Sequence, residues 1–179
     1  TMQNTPNSAV YPRWGIGAEA GIFAQLGIGK FYSPAGYAYI YGYIPGFMRT
    51  HGIRLSAMYQ RKLKENCPFG MMAVDVLPRG FSGTPMLGTS LSSMNAGIMK
   101  ITAEYGMPVY IGDISVLGSL LYLKRLTLTP HFDYSFIGKN GEGLWSAGCN
   151  LTFNLESVLW LEWPCSIGVA ASYNGGPSF

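Results

Sequence analysis

The sequence predicts an all-β fold, an antiparallel transmembrane β-barrel portion of about seven to eight strands, and three observations predict it. Charged residues make up 12% of the 179-residue chain, about half the roughly 25% usual in soluble domains, while 48% is hydrophobic and 14% aromatic. So few Lys, Arg, Asp and Glu side chains cannot coat a soluble domain of this size, whereas lipid needs no such coat. No uninterrupted apolar run of about 18 residues exists to form a membrane helix, because Gly, Ser, Thr or a charge breaks every candidate. What remains is alternation with period two, in segments of about ten residues between turn formers, the pattern of a closed sheet that satisfies every backbone amide inside a bilayer.

Taken in chain order, the first strand sets Ile16, Ala18, Ala20, Ile22, Ala24, Leu26 and Ile28 against Gly15, Gly17, Glu19, Gly21, Phe23, Gln25 and Gly27. The second, A-G-Y-A-Y-I-Y-G-Y-I, alternates Tyr37, Tyr39, Tyr41 and Tyr43 with small or aliphatic residues and stops at Pro45-Gly46. The third, residues 51–63, turns Arg54, Ser56 and Gln60 one way and Ile53, Leu55, Ala57 and Tyr59 the other. A fourth, residues 96–110, opposes Lys100, Thr102 and Glu104 to Met99, Ile101, Ala103 and Tyr105. In the fifth, around residues 127–138, Thr127, Thr129, His131, Asp133 and Ser135 face away from Leu126, Leu128, Pro130, Phe132, Tyr134 and Phe136. The sixth, from Leu144, sets Ser146, Gly148, Asn150, Thr152 and Asn154 against Trp145, Ala147, Cys149, Leu151, Phe153 and Leu155. The seventh, beyond Glu156-Ser157, runs to about Tyr173, and Asn174-Gly175-Gly176-Pro177-Ser178 reads as turn chemistry.

Seven strands fall short of the even number, eight at least, of a single-chain bacterial barrel. The expectation is therefore one barrel domain over residues 1–179 that forms part of a larger barrel. The opening T-M-Q-N-T-P-N-S lacks the basic start and apolar stretch of a secretory signal, so we expect a mature chain or a piece of a longer one. A long connection, about residues 64–93, is too apolar for disorder and too long for an idle loop. It carries L-P-R-G-F-S-G.

L-P-R-G-F-S-G resembles the V-R-G-F/Y motif of the superfamily of outer-membrane barrels that includes BamA, the two-partner-secretion transporters and the bacterial surface antigens. I-T-A-E-Y-G-M-P-V resembles the strand that follows that motif, with Glu104 ahead of Pro108, and T-P-H-F-D-Y-S-F resembles the next strand's F-x-D-x-G, with Asp133 in the acidic position. Pro78 replaces the Val, Gly106 a common Arg, His131 the first Phe and Ser135 the Gly. The resemblance implies a sixteen-stranded barrel of the bacterial outer membrane, of which this chain is the C-terminal portion. The motif's loop, here Arg79, Gly80 and Phe81, would fold inward and dock its Arg on the barrel wall.

A charge on the lipid face at mid-membrane costs about 2–4 kcal/mol, so Glu104 and Asp133 are expected to face the lumen, with Arg79 reaching between them as a bidentate partner. Gly80 and Gly83 would let the backbone turn there. The alternative is a solvated Arg79 in a P-R-G turn above a hydrated Asp133. The aromatics Tyr37, Tyr39, Tyr41, Tyr43, Trp145, Trp160 and Trp163 are expected to form interfacial girdles, or else a ligand-stacking surface inside the pore. Arg61, Lys62 and Lys64 mark a strand leaving the membrane.

No catalytic residue, cofactor or metal site is expected. Cys67, Cys149 and Cys165 lack metal-ligand spacing, no nucleotide loop or catalytic motif occurs, and a net charge of +3 is too weak and scattered for nucleic acid. The expected partners are the outer-membrane bilayer, and unfolded outer-membrane proteins or an attached domain. The resemblance implies membrane protein insertion or translocation, or anchoring. A different class, a small lipid-modifying outer-membrane enzyme on a short barrel, would use His131 or His51 as base and a nearby Ser as nucleophile. A soluble ligand-binding barrel would need a charged exterior.

Overall fold

The computed structural model describes residues 2–4, 9–25, 33–63, 77–81, 97–116, 121–137, 142–158 and 165–175. They form one antiparallel eight-stranded sheet in which every strand pairs with its sequence neighbours: β1 (Met2–Asn4), β2 (Trp14–Gln25), β3 (Ser33–Pro45), β4 (Gly52–Lys62), β5 (Ile98–Val116), β6 (Leu121–Ile137), β7 (Glu142–Val158) and β8 (Cys165–Gly175). The seven expected strands are β2 to β8. The eighth, β1, falls in the polar opening stretch, where no strand was expected and Met2–Asn4 pair with Ile16, Gly15 and Trp14. Asn174 and Gly175, read as turn, close β8 by pairing with Ser146 and Trp145. The sheet is open, with β1 and β8 as its edges, and among the described residues no helix is long and apolar enough to cross a membrane.

Register turns the alternation of single strands into rows across the sheet. One row runs Gly15, Tyr43, Arg54, Glu104, His131, Gly148, Ser172, and the next Gly17, Tyr41, Ser56, Thr102, Asp133, Ser146, Asn174. All these residues share one face, because side chains two apart on a strand point the same way. Burial on this sheet is inverted relative to a soluble domain. Asp133, Ser135 and Ser146 are fully buried, and Thr102, Glu104 and His131 nearly so, while on the opposite face Ile101 is 42%, Phe132 47% and Val169 65% exposed.

The four tyrosines of β3 lie on this polar face, on the side of the inward-facing alternative and not of girdles: their register partners include Glu19, Arg54, Ser56 and Gln60. Here Tyr37 donates to Glu19 at 2.6 Å, and the rings of Tyr37 and Tyr41 lie over Gly21 and Gly17, filling space a Cβ would need. Bulky rings on one strand thus compensate for glycines on the next. Trp145 stays on the apolar face, stacked with Phe132 at 6.4 Å and tilted against Tyr173 at 5.7 Å. Trp160, Trp163 and Cys67 lie outside the described residues, while Cys149 and Cys165 are free thiols, half-buried.

β5 outruns its expected end at Tyr110 and reaches Val116. Two register shifts, between Pro108 and Tyr110 and between Ile111 and Ile114, absorb the proline and Gly112 as bulges instead of letting them end the strand.

Close approach of β7 and β8 depends on Gly148, where a Cβ would meet the Ala171 carbonyl oxygen, Ser172 Cα at 2.8 Å and His131 Cε1 at 2.9 Å. Because two of those neighbours are backbone, Gly148→Val is expected to force the strands apart and cost about 1–3 kcal/mol. Hydrogen exchange would register this as lost amide protection across β8, with β3–β4 amides unchanged.

Candidate functional site: two buried carboxylates and their cations

Glu104 on β5 pairs in register with His131, which sits two residues before Asp133 on β6. The two carboxylates are therefore diagonal neighbours on one face, a relation that places Cα atoms about 7–8 Å apart. That gap suits a planar guanidinium.

Arg79 fills it. Residues 78–81 make a tight turn in which the Phe81 amide donates to the Pro78 carbonyl at 3.3 Å, and its third residue, Gly80, has φ +88°, a conformation that glycine adopts without penalty. Gly80 also lies against β8, where a Cβ would come within 2.5 Å of Asn174 Nδ2 and 2.7 Å of Ser172 Oγ. The turn presents Arg79 to both acids. Nη2 forms an ion pair with Glu104 Oε1, Nε lies 3.5 Å from Asp133 Oδ2, and the Arg79 backbone amide donates to the same Oδ2 at 3.1 Å. Leu77 and Pro78 are buried beside it, and Phe81 is half-buried. Gly83, also expected to help the backbone turn, lies outside the described residues.

Two further cations and a phenol complete the cluster. Arg54 Nη1 lies 3.3 Å from Glu104 Oε2 while its Nη2 donates to Tyr39 Oη at 2.7 Å. Lys100 Nζ lies 3.9 Å from Asp133 Oδ2. Tyr11 donates its hydroxyl to Glu104 Oε2 at 2.9 Å. Three cations thus surround two carboxylates that have almost no contact with solvent. Tyr11 and the pairing role of Arg54 were missed from sequence. The parity of Arg54 was visible there, but its register with Glu104 was not, and nothing local marks Tyr11. Gly106 leaves room that Val10 and Tyr11 occupy.

Several buried polar atoms of this face have no hydrogen-bond partner among the described residues: Arg79 Nη1, both ring nitrogens of His131, Asp133 Oδ1 and Ser146 Oγ. Among the described residues, neither histidine proposed as a base hydrogen-bonds to a serine. His51 pairs through Nδ1 with Tyr105 Oη at 2.7 Å. No group of three or more potential metal ligands occurs among the described residues. No family model, curated protein or solved structure matches this chain.

The geometry separates two kinds of hold on the turn. Asp133 grips its backbone as well as its side chain, whereas Glu104 grips only the guanidinium. A double-mutant cycle between Arg79→Ala and Glu104→Gln, read from urea unfolding, is expected to give a coupling of about 1–3 kcal/mol. The reciprocal swap of Arg79 and Asp133 should recover only part of the loss, since Arg at position 133 cannot accept the amide of residue 79. Full recovery would show that the backbone bond contributes nothing.

Proposed function

We propose that this chain is membrane-embedded wall of a bacterial outer-membrane β-barrel resembling the BamA and surface-antigen superfamily, serving protein insertion or translocation or anchoring an attached domain, without catalysis. The observation that carries the reading is the inverted burial. An exterior of half-exposed Ile, Val, Phe and Tyr is unfavourable in water at about 25 cal/mol per Å² of apolar surface and favourable against acyl chains. The polar face, with unpartnered buried donors and acceptors, suits a wet interior. Charges sit where such a belt would end: Arg61 is exposed near the end of β4, and Lys124 and Glu156 form an exposed pair at 2.7 Å near the opposite ends of β6 and β7. Two open edges fit part of a larger wall, the sixteen-stranded barrel that the resemblance implies. In this reading the Arg79 turn is a latch that holds the long connection against the inside of that wall.

The test is a pair of arginine substitutions on the apolar face, Ile101→Arg and Phe132→Arg, in chain folded into phospholipid vesicles and titrated with urea. At mid-bilayer each is expected to cost about 2–4 kcal/mol. In a water-soluble sheet, half-exposed positions such as these tolerate Arg within about 0.5 kcal/mol. Neutral substitutions, or a chain that stays monomeric and folded without detergent or lipid, would overturn the reading.

A further inference from the structure

Residues 9–13, which lead into β2, do not stay at that edge of the sheet. They cross the polar face as a strap. The Tyr11 ring packs against Tyr43 of β3 at 5.7 Å, lies over Gly52 of β4 and Gly106 of β5, and reaches Glu104 with its hydroxyl. Further on, Arg125 of β6 donates to the Ala9 carbonyl at 3.2 Å, and Ala9 is buried. The strap and the Arg79 turn approach the same carboxylate from different parts of the chain.

Glu104 divides its two oxygens between them. Oε1 takes Arg79, and Oε2 takes Tyr11 at 2.9 Å and Arg54 at 3.3 Å. Arg54 is a fixed neighbour, held by Tyr39 and in register with Glu104, so it competes with Arg79 for the carboxylate. A guanidinium facing a free carboxylate favours two parallel bonds, which would draw both oxygens to Arg54. Arg54 already shares Oε2 with Tyr11, so bidentate closure needs the carboxylate to rotate and bring Oε1 to Arg54 as well, and the Tyr11 bond to Oε2 opposes that rotation.

We propose that the strap is a conformational control on the loop: Tyr11 keeps Glu104 from closing bidentately on Arg54 and thereby reserves Oε1 for Arg79. Displacing the strap releases the turn. This inference rests on the geometry of the polar face and holds whether or not that face lines a membrane pore.

The experiment reads chymotryptic cleavage after Phe81 in the folded full chain, located by mass spectrometry, with hydrogen exchange over β4 and β5 as the control for fold. Tyr11→Phe keeps the ring packing and removes only the hydroxyl, and is expected to raise cleavage about tenfold, the equivalent of losing one bond to a charged group. Arg125→Met, which loosens the Ala9 end, should act in the same direction. The deciding variant is Tyr11→Phe with Arg54→Gln: removing the competitor should return cleavage to near the wild-type rate. Unchanged cleavage in both single variants would overturn the proposal. So would increased cleavage that Arg54→Gln does not rescue, because Tyr11 would then only prop the turn mechanically.

Discussion

The arrangement depends on one electrostatic constraint: two carboxylates, on adjacent strands and the same face, both withdrawn from solvent. At about 7 Å and an effective dielectric near 20, their mutual repulsion is about 2 kcal/mol, and a buried carboxylate without a partner costs several more. Each cation at 3 to 4 Å returns about 4 kcal/mol under the same assumption. Attraction therefore wins as long as the cations stay. Arg54 and Lys100 come from the sheet itself and lower the cost, Arg54 at Glu104 and Lys100 at Asp133. Arg79 is the one residue described that bridges both, and it belongs to a connection, not to a strand. The sheet's own two cations already match the two acids in number, so what it needs from a piece of loop is the bridge between them.

From that need follows much of the surrounding geometry. A turn that delivers Arg79 between β5 and β6 must lie flat on the polar face, and Gly80 permits this by its positive φ and by leaving room for Ser172 and Asn174 of β8. The turn thereby touches a strand three places along the sheet from β5. On the other side of Glu104, the glycines of β4 and β5 leave room for the strap. Two connections with no sequence relation meet over the same few residues because that is where the sheet has both charge to offer and space beside it.

The faces of the strands were legible because alternation is local: Asp133, Glu104 and Arg54 could each be assigned a side from their immediate neighbours. Register was not legible, since sliding one strand past another by two residues preserves the faces and changes every partner. That is why Glu104 and Asp133 could be placed on one face but the pairing of Arg54 with Glu104 could not be foreseen. The tyrosines of β3 misled for a related reason. Tyrosine suits both an interface and a polar wall, and only its register against the glycines of β2 shows which face needs its bulk. The strand that was expected to stop at about Tyr110 runs on to Val116 because its two register shifts, which carry it past Gly112, leave no local signature distinct from a turn. The position of Tyr11 arises purely from tertiary contact.

Arg79 also illustrates why a lysine would not be equivalent. Its contacts run in two directions, Nη2 toward Glu104 and Nε toward Asp133, which a rigid fork can span and a point charge cannot. The backbone amide adds a bond to Asp133 that no change of the Arg79 side chain itself removes. The turn is consequently anchored in layers: Asp133 fixes where the backbone sits, and Glu104 decides whether the guanidinium is held. The first layer shares Asp133 Oδ2 with Lys100 of the sheet. The second is shared with Arg54 and Tyr11, so the strap adjusts the docking of the loop through Glu104.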